Sequence, residues 1–289
     1  MLVHAPAKLN LCLFLGRPRE DGLHELCSLF EPLVLADLIE ITEADRDEVV
    51  CPAVEGDNLA AAALAALRDA GWEQPPLRIE IEKRIPVAAG LGGGSADAAA
   101  VLRLAAGEVA DLPRIAAALG ADVPSQLRPA PALVRGAGEA VQPLPAPAPH
   151  AVVLLPDGGG LRTAEVFAEA DRLGLGRERG ELDQLAARLR RVAGAGASPL
   201  SYPELLVNDL EAPARSLRPA IGEALEALRE AGAPVALLSG SGPTAVGLFA
   251  DLAAARAAAA ALDRADVIIC EAGLSAARMS EISGDDERE

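Results

Sequence analysis

The stretch PVAAGLGGGSADAAA, residues 86–100, sets four glycines and a serine directly before an alanine-rich segment. Apolar residues recur at helical spacing from Ala98 to Ala105, so the pattern predicts a buried helix with Ser95 as its N-cap. Such a loop can serve a dinucleotide site, a P-loop, or another cradle in which backbone N–H groups hold phosphate. It can also be a turn without a ligand, so the flanking residues must decide.

The residues around the glycines favour the third alternative. A dinucleotide fingerprint needs a glycine where this chain has Ser95, and the preceding segment 77–83 alternates like a half-exposed strand of an antiparallel sheet. A Walker A loop needs a lysine after its last glycine, and none follows Lys83. A simple turn would not require four glycines, because glycine loses the most backbone entropy on folding. We therefore expect residues 86–96 to hold phosphate with backbone N–H groups and a helix N-terminus.

The charge of the chain restricts its partners. The 289 residues carry a formal charge of −17 without a basic cluster, which argues against a nucleic-acid or anionic-membrane surface. Nearly all basic residues are arginine, and only Lys8 and Lys83 are lysines. In such a chain, a retained lysine suggests a need for a compact ammonium group with three donors.

The cysteines and the apolar segments indicate a cytoplasmic protein. The four cysteines are scattered without CxxC spacing, so neither a zinc site nor a disulfide framework is expected. Lys8 and Asn10 interrupt the apolar N-terminus, which argues against a signal peptide. Residues 232–250 are uncharged, but their glycines and proline argue against a membrane-spanning helix.

The Pro/Ala-rich segment at 143–150 separates two predicted domains, residues 1–149 and 150–278. In the first domain, leucines alternate with other residues from 8 to 15, so that Lys8 and Asn10 share one face of a strand. The second domain reads as β-α-β-β-α-β, the order of a split βαβ or ferredoxin-like domain. The acidic tail, 279–289, has nothing to bury and is predicted to be disordered.

Six motifs, which run in order from residue 5 to about residue 250, carry a resemblance to a known family. They are APAKLNLCL (5–13), REDGLHEL (19–26), the glycine stretch, GADVP (120–124), VNDLE (207–211) and LSGSGPTAVGLF (238–249). Together they resemble the GHMP kinases, which include galactokinase, homoserine kinase and mevalonate kinase. Within that superfamily, they are most similar to the kinases of the non-mevalonate isoprenoid pathway that act on a cytidyl-diphosphate sugar alcohol.

The resemblance implies an α+β fold with two domains. The N-terminal domain would be of the ribosomal protein S5 domain 2-like type and the C-terminal domain ferredoxin-like, in agreement with the strand order read from the sequence. ATP and a small-molecule substrate would meet in the cleft between them. The charge of −17 argues against a nucleic-acid or membrane partner, and we expect a monomer or a homodimer.

The resemblance also implies which residues act on the substrates. Asp122 would be the general base for the C2 hydroxyl of the sugar alcohol, and Lys8 would pair with it and polarise the same hydroxyl. The ATP-binding residues would be Pro86, Val87, Ala88, Ala89, Gly90, Leu91, Gly92, Gly93, Gly94, Ser95 and Ala96. Mg²⁺ is expected to accompany ATP, held mostly by phosphates and water because no carboxylate cluster marks a metal site.

The implied substrate-binding residues come from three of these motifs and from the segment TAEVF, residues 163–167. They are Asn10, Leu23, His24, Thr163, Phe167, Gly240 and Ser241. His24 would recognise the cytosine ring, Phe167 would cover one of its faces, and the turn containing Gly240 would lie against the diphosphate. Leu23 departs from the family pattern, which commonly has a stacking tyrosine there, and this departure puts cytidine affinity in doubt.

Three other functions stay open on the sequence alone. A GHMP kinase for another small alcohol, such as homoserine or mevalonate, is the nearest, because Leu23 weakens the cytidyl assignment. An NAD(P)-dependent oxidoreductase and a non-catalytic nucleotide-binding protein belong to different classes, and retention of both Lys8 and Asp122 argues against the latter.

Overall fold

The computed structural model describes residues 1–273; the predicted acidic tail, 279–289, lies outside this range. The strands of the N-terminal half are β1 (Leu2–Pro18), β2 (His24–Glu43), β3 (Glu48–Val50), β4 (Leu77–Glu82), β5 (Ala132–Gly136) and β6 (Ala140–Pro143). Its helices are α1 (Leu59–Asp69), α2 (Gly93–Arg103), α3 (Leu112–Leu119) and α4 (Val123–Gln126).

These strands form one six-stranded sheet organised around β2. The order is β3-β4-β2-β5-β6, and β1 pairs with β2 in a long antiparallel hairpin. The register of this hairpin shifts between Pro6 and Lys8 and again between Asn10 and Cys12. Such irregularities change the direction in which side chains point. The two shifts flank Lys8 and Asn10, which are buried polar residues of β1.

The C-terminal half has the predicted β-α-β-β-α-β order. Its strands are β7 (His150–Leu155), β8 (Val235–Leu238), β9 (Ala245–Phe249) and β10 (Ile268–Ala272). Its helices are α5 (Thr163–Arg172), α6 (Arg179–Ala193), α7 (Glu211–Leu217), α8 (Ala220–Glu230) and α9 (Leu252–Ala261), with short 3₁₀ turns at Pro199–Ser201 and Pro203–Leu205. The sheet order β10-β7-β9-β8 is antiparallel throughout, as in a ferredoxin-like domain.

The apolar segment 232–250 forms β8, a glycine turn and β9 rather than one helix. Within residues 1–273, no helix combines the length and apolar character needed to cross a membrane.

A large hydrophobic cluster joins the two halves. It combines buried residues of β1 and β2, such as Leu9 and Leu33, with Val152 of β7, Leu189 of α6 and Leu248 of β9. Separate clusters lie under the helices of each half. The cavity described below is therefore built on two sheets that share part of their core.

The helix after the glycine stretch begins earlier than predicted. Gly92, with φ +71°, is the N-cap of α2, and Ser95 is its third residue. The prediction of Ser95 as the N-cap is thus wrong, because a left-handed glycine ends the loop and no side chain caps the helix. Elsewhere the sequence marks the helix start correctly, since the Asn58 side chain accepts a hydrogen bond from Ala60 N at the start of α1.

Candidate active site

A cavity of about 510 Å³ lies where the two halves meet. Of the predicted site residues, its walls include Lys8, Asn10, Pro86–Ser95, Asp122, Thr163, Phe167, Gly240 and Ser241. Ala96, Leu23 and His24 do not line it. Segments as far apart in the sequence as Lys8 and Ser241 thus surround one space, as expected for a cleft between two domains.

Lys8 and Asp122 form an ion pair in the wall of this cavity. Lys8 Nζ lies 3.2 Å from Asp122 Oδ2, 2.5 Å from Asn10 Oδ1 and 5.0 Å from the centre of the Phe30 ring. The lysine side chain is 6% exposed and the aspartate side chain 32% exposed. The ammonium group is therefore fixed by its neighbours, while the carboxylate stays open to a ligand.

Asp122 occupies the N-cap position of α4, but its side chain makes no capping hydrogen bond. Its backbone carbonyl accepts a hydrogen bond from the Ser125 hydroxyl. The short helix thus positions Asp122 without engaging its carboxylate, which an ordinary cap would do.

Asn10 connects the lysine to the rest of the site. Its Nδ2 donates to the Ser28 hydroxyl at 2.9 Å while its Oδ1 accepts from Lys8 Nζ. Because both ends of the amide are engaged within the protein, Asn10 orients Lys8 in this structure.

The glycine loop and the turn 239–244 hold each other by close contacts. Ser239 Oγ donates to Gly90 O at 3.0 Å, and Thr244 N lies 3.4 Å from Ala89 O. Asn208 supports the turn from behind, because its Nδ2 donates to Leu238 O and Gly240 O at 2.7 Å each. The two loops therefore form one unit across the boundary between the halves.

The four glycines of the loop meet different surroundings. A Cβ on Gly90 would lie 2.5 Å from Ser239 O, and one on Gly92 would lie 2.8 Å from Lys8 Cγ, so the protein itself requires glycine there. On Gly94, the nearest atom to a Cβ would be Leu59 Cδ1 at 3.7 Å, and this residue lines the cavity. Gly94 is the glycine whose missing side chain leaves space for a ligand.

The start of α2 offers unpaired donors to the cavity. The first hydrogen bond within the helix runs from Ala96 N to Gly92 O, so the N–H groups of Gly93, Gly94 and Ser95 have no partner inside the helix. All three residues line the cavity. This arrangement suits an anion such as a phosphate group.

Sequence reasoning missed a second lysine cluster beneath the loop. Lys83 Nζ pairs with Asp37 Oδ2 and lies 2.8 Å from Asp97 Oδ2, and both Lys83 and Asp97 line the cavity. Burial raises the pKa of Asp97 to about 7, although Lys83 opposes this effect, and Asp97 Oδ1 has no hydrogen-bond partner. The scarcity of lysine pointed to Lys83, but no signal in the sequence indicated its two carboxylates.

The substrate-side residues fall into two groups. Thr163 Oγ1 lies 2.9 Å from Ser241 Oγ, so the start of α5 adjoins the turn. His24 is buried outside the cavity wall, where its Nε2 lies 2.9 Å from Asp171 Oδ1 and its ring centre lies 5.1 Å from that of Phe167. Leu23 is 54% exposed. The structure thus brings His24 to the cavity only through Phe167 and leaves Leu23 at the surface.

The donor set gives little support for a resident metal ion. Within residues 1–273, no group of three or more histidine, cysteine, aspartate or glutamate side chains is arranged to hold one.

Comparison with known proteins gives the family. The models of the GHMP kinases N terminal domain and the GHMP kinases C terminal domain match residues 58–127 and 200–268. The 4-diphosphocytidyl-2-C-methyl-D-erythritol kinase of Paracoccus denitrificans is 44% identical over 262 residues, with 89% of each chain covered. That of Anaeromyxobacter sp. strain Fw109-5 is 41% identical over 269 residues, with 88% of this chain and 84% of the relative covered.

Solved structures agree. The crystal structure of a 4-(cytidine 5'-diphospho)-2C-methyl-D-erythritol kinase matches with a TM-score of 0.77 at 37% identity and covers 95% of this chain and 100% of that one. Homoserine kinase from Cytophaga hutchinsonii matches with a TM-score of 0.66 at 20% identity, over 93% of this chain and 94% of that one, which shows a shared fold alone. The predicted α+β GHMP kinase fold is confirmed. The chain belongs to the 4-diphosphocytidyl-2-C-methyl-D-erythritol kinase family of the GHMP kinases.

Proposed function

We propose that this protein transfers the γ-phosphoryl group of ATP to the C2 hydroxyl of 4-diphosphocytidyl-2-C-methyl-D-erythritol, a step of non-mevalonate isoprenoid biosynthesis. The observation that carries the proposal is the Lys8–Asp122 pair, 3.2 Å apart in the cavity that the glycine loop and the 239–244 turn both line. Phosphoryl transfer asks a protein mainly to position the acceptor and to offset charge, and this cavity contains groups for both tasks.

Asp122 is the general base in this proposal. Its open carboxylate accepts the proton of the attacking hydroxyl as the bond to phosphorus forms. Asn10 holds Lys8 Nζ, which also packs against Phe30. In this proposal the ammonium group lies beside the oxygen of the attacking hydroxyl and offsets the negative charge that develops on it.

The glycine loop supports the triphosphate. The unpaired N–H groups of Gly93, Gly94 and Ser95 donate to phosphate oxygens, and the helix dipole of α2 adds a favourable field. Mg²⁺, when bound with ATP, would offset part of the phosphate charge. The backbone supplies this site, which explains how a chain with a charge of −17 holds a polyanion.

The remaining roles divide between the two sides of the cavity. Gly240 and Ser241 lie against the diphosphate of the acceptor, with Thr163 orienting Ser241. Phe167 covers one face of the cytosine, and His24 lies behind it. In this proposal the C-terminal half therefore binds most of the cytosine and the diphosphate of the acceptor. The reacting hydroxyl contacts the N-terminal half.

We also propose the domain limits 1–149 and 150–278 and a cytoplasmic location. The chain passes from the six-stranded sheet to the four-stranded sheet between β6 and β7, which supports a domain boundary near residue 149. The four cysteines are free thiols, as a reducing compartment favours. Whether the protein is a monomer or a homodimer stays a prediction.

The test is ADP release by purified protein with ATP, Mg²⁺ and separate acceptors: the cytidyl substrate, homoserine and mevalonate. We expect release only with the cytidyl substrate, together with a phosphorylated product whose new ester is at C2. A reaction without acceptor corrects for ATP hydrolysis. Turnover of homoserine or mevalonate instead would show that the protein is a GHMP kinase for another alcohol. ATP binding without turnover of any acceptor would show that it is a non-catalytic nucleotide-binding protein.

A further inference from the structure

A cluster of one lysine and two aspartates lies behind the start of α2. Lys83 Nζ pairs with Asp37 Oδ2 and lies 2.8 Å from Asp97 Oδ2, and the three side chains are 6%, 0% and 4% exposed. A Cβ on Gly93 would lie 3.1 Å from Lys83 Nζ and 3.3 Å from Asp37 Oδ2. This Lys83 cluster is therefore buried directly behind a glycine that lines the cavity.

The Lys83 cluster joins the two ends of the glycine loop. Lys83 belongs to the segment that leads into the loop, and Asp97 is the fifth residue of α2. Asp37 holds the leading segment as well, because its Oδ1 accepts hydrogen bonds from Arg84 N at 2.7 Å and Ile85 N at 2.8 Å. The contact between Lys83 and Asp97 therefore fixes the first N–H groups of α2 relative to the rest of the loop.

The charges of the cluster are not balanced. One ammonium group faces two carboxylates, so the net charge is −1 when both are ionised. Asp37 accepts hydrogen bonds at both oxygens, whereas Asp97 Oδ1 is buried without a hydrogen-bond partner. Burial raises the pKa of Asp97 to about 7, although Lys83 opposes this effect. A proton that enters the cluster near neutral pH therefore binds Asp97.

Other charged or titratable groups lie on the elements around α2. They are Cys51 after β3, the exposed Asp57 before α1, Lys8 on β1 with Asp122 before α4, and His4 on β1 beside Arg103 in the last turn of α2. Burial raises the pKa of the Cys51 thiol, so it stays neutral near pH 7. The faces that α1 and α3 pack against α2 are apolar. A comparison with a variant of Asp97 separates its proton from those of the other groups.

We propose that Asp97 is a positioning residue, which fixes the start of α2 through Lys83 and takes up a proton when ATP binds. The inference rests on the proposed function, because it places the phosphates of ATP at the glycine loop. Bound phosphates bring further negative charge beside this cluster, and a proton from the solvent on an oxygen of Asp97 reduces the repulsion. The carbonyl oxygen of the neutral carboxyl group still accepts a hydrogen bond from Lys83 Nζ, so the two ends of the loop stay joined.

The size of the effect follows from the coupling of proton and ATP binding. At pH 8, a carboxyl group with a pKa of about 7 is about one tenth protonated. Phosphates that raise this pKa by about one unit make the group about half protonated, so ATP binding takes up about 0.4 proton. The Kd for ATP should then rise about tenfold from pH 6 to pH 9, because ATP binds more tightly when Asp97 is protonated.

The first test counts protons in the unaltered protein. Calorimetric titration with Mg²⁺ and a non-hydrolysable ATP analogue at pH 8, in HEPES and in Tris, gives the proton uptake from the difference between the two binding enthalpies. We expect Asp97→Asn to take up about 0.4 proton less than the wild type. The control Glu82→Gln removes a 64% exposed carboxylate paired with Arg84 and should keep the wild-type value. Equal uptake by the wild type and Asp97→Asn overturns the inference.

The second test separates the contact with Lys83 from the charge. Asp97→Asn keeps an oxygen for Lys83 Nζ and stays neutral, so its Kd for ATP at pH 9 should be about tenfold lower than that of the wild type. Asp97→Ala breaks the contact, so its KM for ATP should be at least about fivefold higher than that of Asp97→Asn, with a smaller change in kcat. A carboxylate needed only for folding would weaken ATP binding in both variants, and that result would contradict the inference.

The two proposals can fail separately, because the binding measurements need no acceptor. If the protein phosphorylates the cytidyl substrate but Asp97 takes up no proton, the inference fails and the proposed function stands. If ATP binding takes up the proton but only another alcohol is phosphorylated, the inference stands and the assignment of the acceptor fails. A protein that does not bind ATP would refute both.

Discussion

Two lysine–aspartate pairs line the same cavity and have different surroundings. Asp122 beside Lys8 has a side chain 32% exposed, whereas Asp97 beside Lys83 is 4% exposed, and burial raises its pKa to about 7. A general base must reach the acceptor hydroxyl, and only the first carboxylate is open to do so. Lys83 of the second pair lies directly under Gly93. This position indicates that the second pair stabilises the glycine loop.

Asp122→Asn should lower kcat by roughly 10²- to 10⁴-fold, the scale of a lost general base, while the Kd for ATP changes little. Single-turnover phosphorylation and equilibrium nucleotide binding measure the two quantities. Asp111→Asn, which removes an exposed carboxylate paired with Arg114, is the control and should keep wild-type rates. Wild-type turnover by the Asp122 variant would show that another group takes the proton.

Leu23→Tyr tests the departure from the family pattern. Leu23 is 54% exposed and outside the cavity wall, so an aromatic ring there would have to fold back over the base to stack on it. We expect KM for the cytidyl substrate to fall by about two- to tenfold, which corresponds to an aromatic contact of about 0.5–1.5 kcal/mol. Leu217→Tyr, at a leucine 43% exposed on α7, controls for a tyrosine on the surface. An unchanged KM would mean that residue 23 does not face the cytosine.

How far the sequence predicts single residues depends on whether a motif contains them. Lys8, Asn10 and Asp122 belong to short patterns, and the structure places them within one hydrogen-bonded group. Asp171 lies outside the six motifs, and nothing about Asp97 within the glycine stretch indicates a partner, so only the fold brings them to His24 and Lys83. Their roles depend on distances that sequence spacing does not contain.

At the scale of elements, strands with one exposed face were predicted best. Residues 77–83 alternate in the sequence, and β4 has the expected half-exposed pattern. By contrast, residues 27–33 of the long β2 strand are buried on both faces, and their sequence shows no alternation that would predict a strand. A strand buried on both sides gives no signal with a period of two.

The glycine loop allows fold and ligand requirements to be separated. Gly90→Ala, at φ +76° and with its Cβ 2.5 Å from Ser239 O, should reduce the free energy of unfolding and the activity together. Gly94→Ala, inside α2 with open space around it, should raise the stability by about 0.5–1 kcal/mol yet increase KM for ATP. Urea denaturation and steady-state kinetics of both variants check this. An unchanged KM for ATP in Gly94→Ala would show that residue 94 does not lie against the phosphates of ATP.

At the scale of the whole molecule, a buried ion pair spans the junction of the two sheets. His150 Nε2 at the start of β7 lies 3.3 Å from Glu31 Oε2 on β2, and both side chains are fully buried. Burial lowers the pKa of His150, but Glu31 and the Ala148 carbonyl together raise it by more, so the pKa lies above its usual value. Neither the histidine nor the glutamate stood out in the sequence, because only the packing of β7 and β10 against β2 brings them together.

This pair should make stability depend on pH. A histidine whose pKa is raised in the folded state adds stability that is fully present below its unfolded pKa, about 6.5, and is lost as pH rises through the folded pKa. The free energy of unfolding should therefore fall from pH 6 to pH 9, by about 1.4 kcal/mol for each unit by which the pKa is raised. Urea unfolding followed by Trp72, the only tryptophan, measures it.

The control for this prediction is the double variant Glu31→Gln/His150→Gln. Asp97, whose pKa is also raised, titrates in both proteins and contributes equally to each slope. The difference between the two slopes therefore belongs to the pair. Equal slopes would show that the His150–Glu31 contact does not depend on pH in this range.

The burial of both lysines has a practical consequence for chemical labelling. Lys8 and Lys83 are each 6% exposed at the side chain, and the sequence contains no other lysine, so amine reagents meet no exposed lysine on the surface of residues 1–273. Cross-linkers and fluorophores that react with lysine should therefore label this protein very weakly. An acyl group that becomes attached to Lys8 must have entered the cavity, so that adduct reports on access to the site.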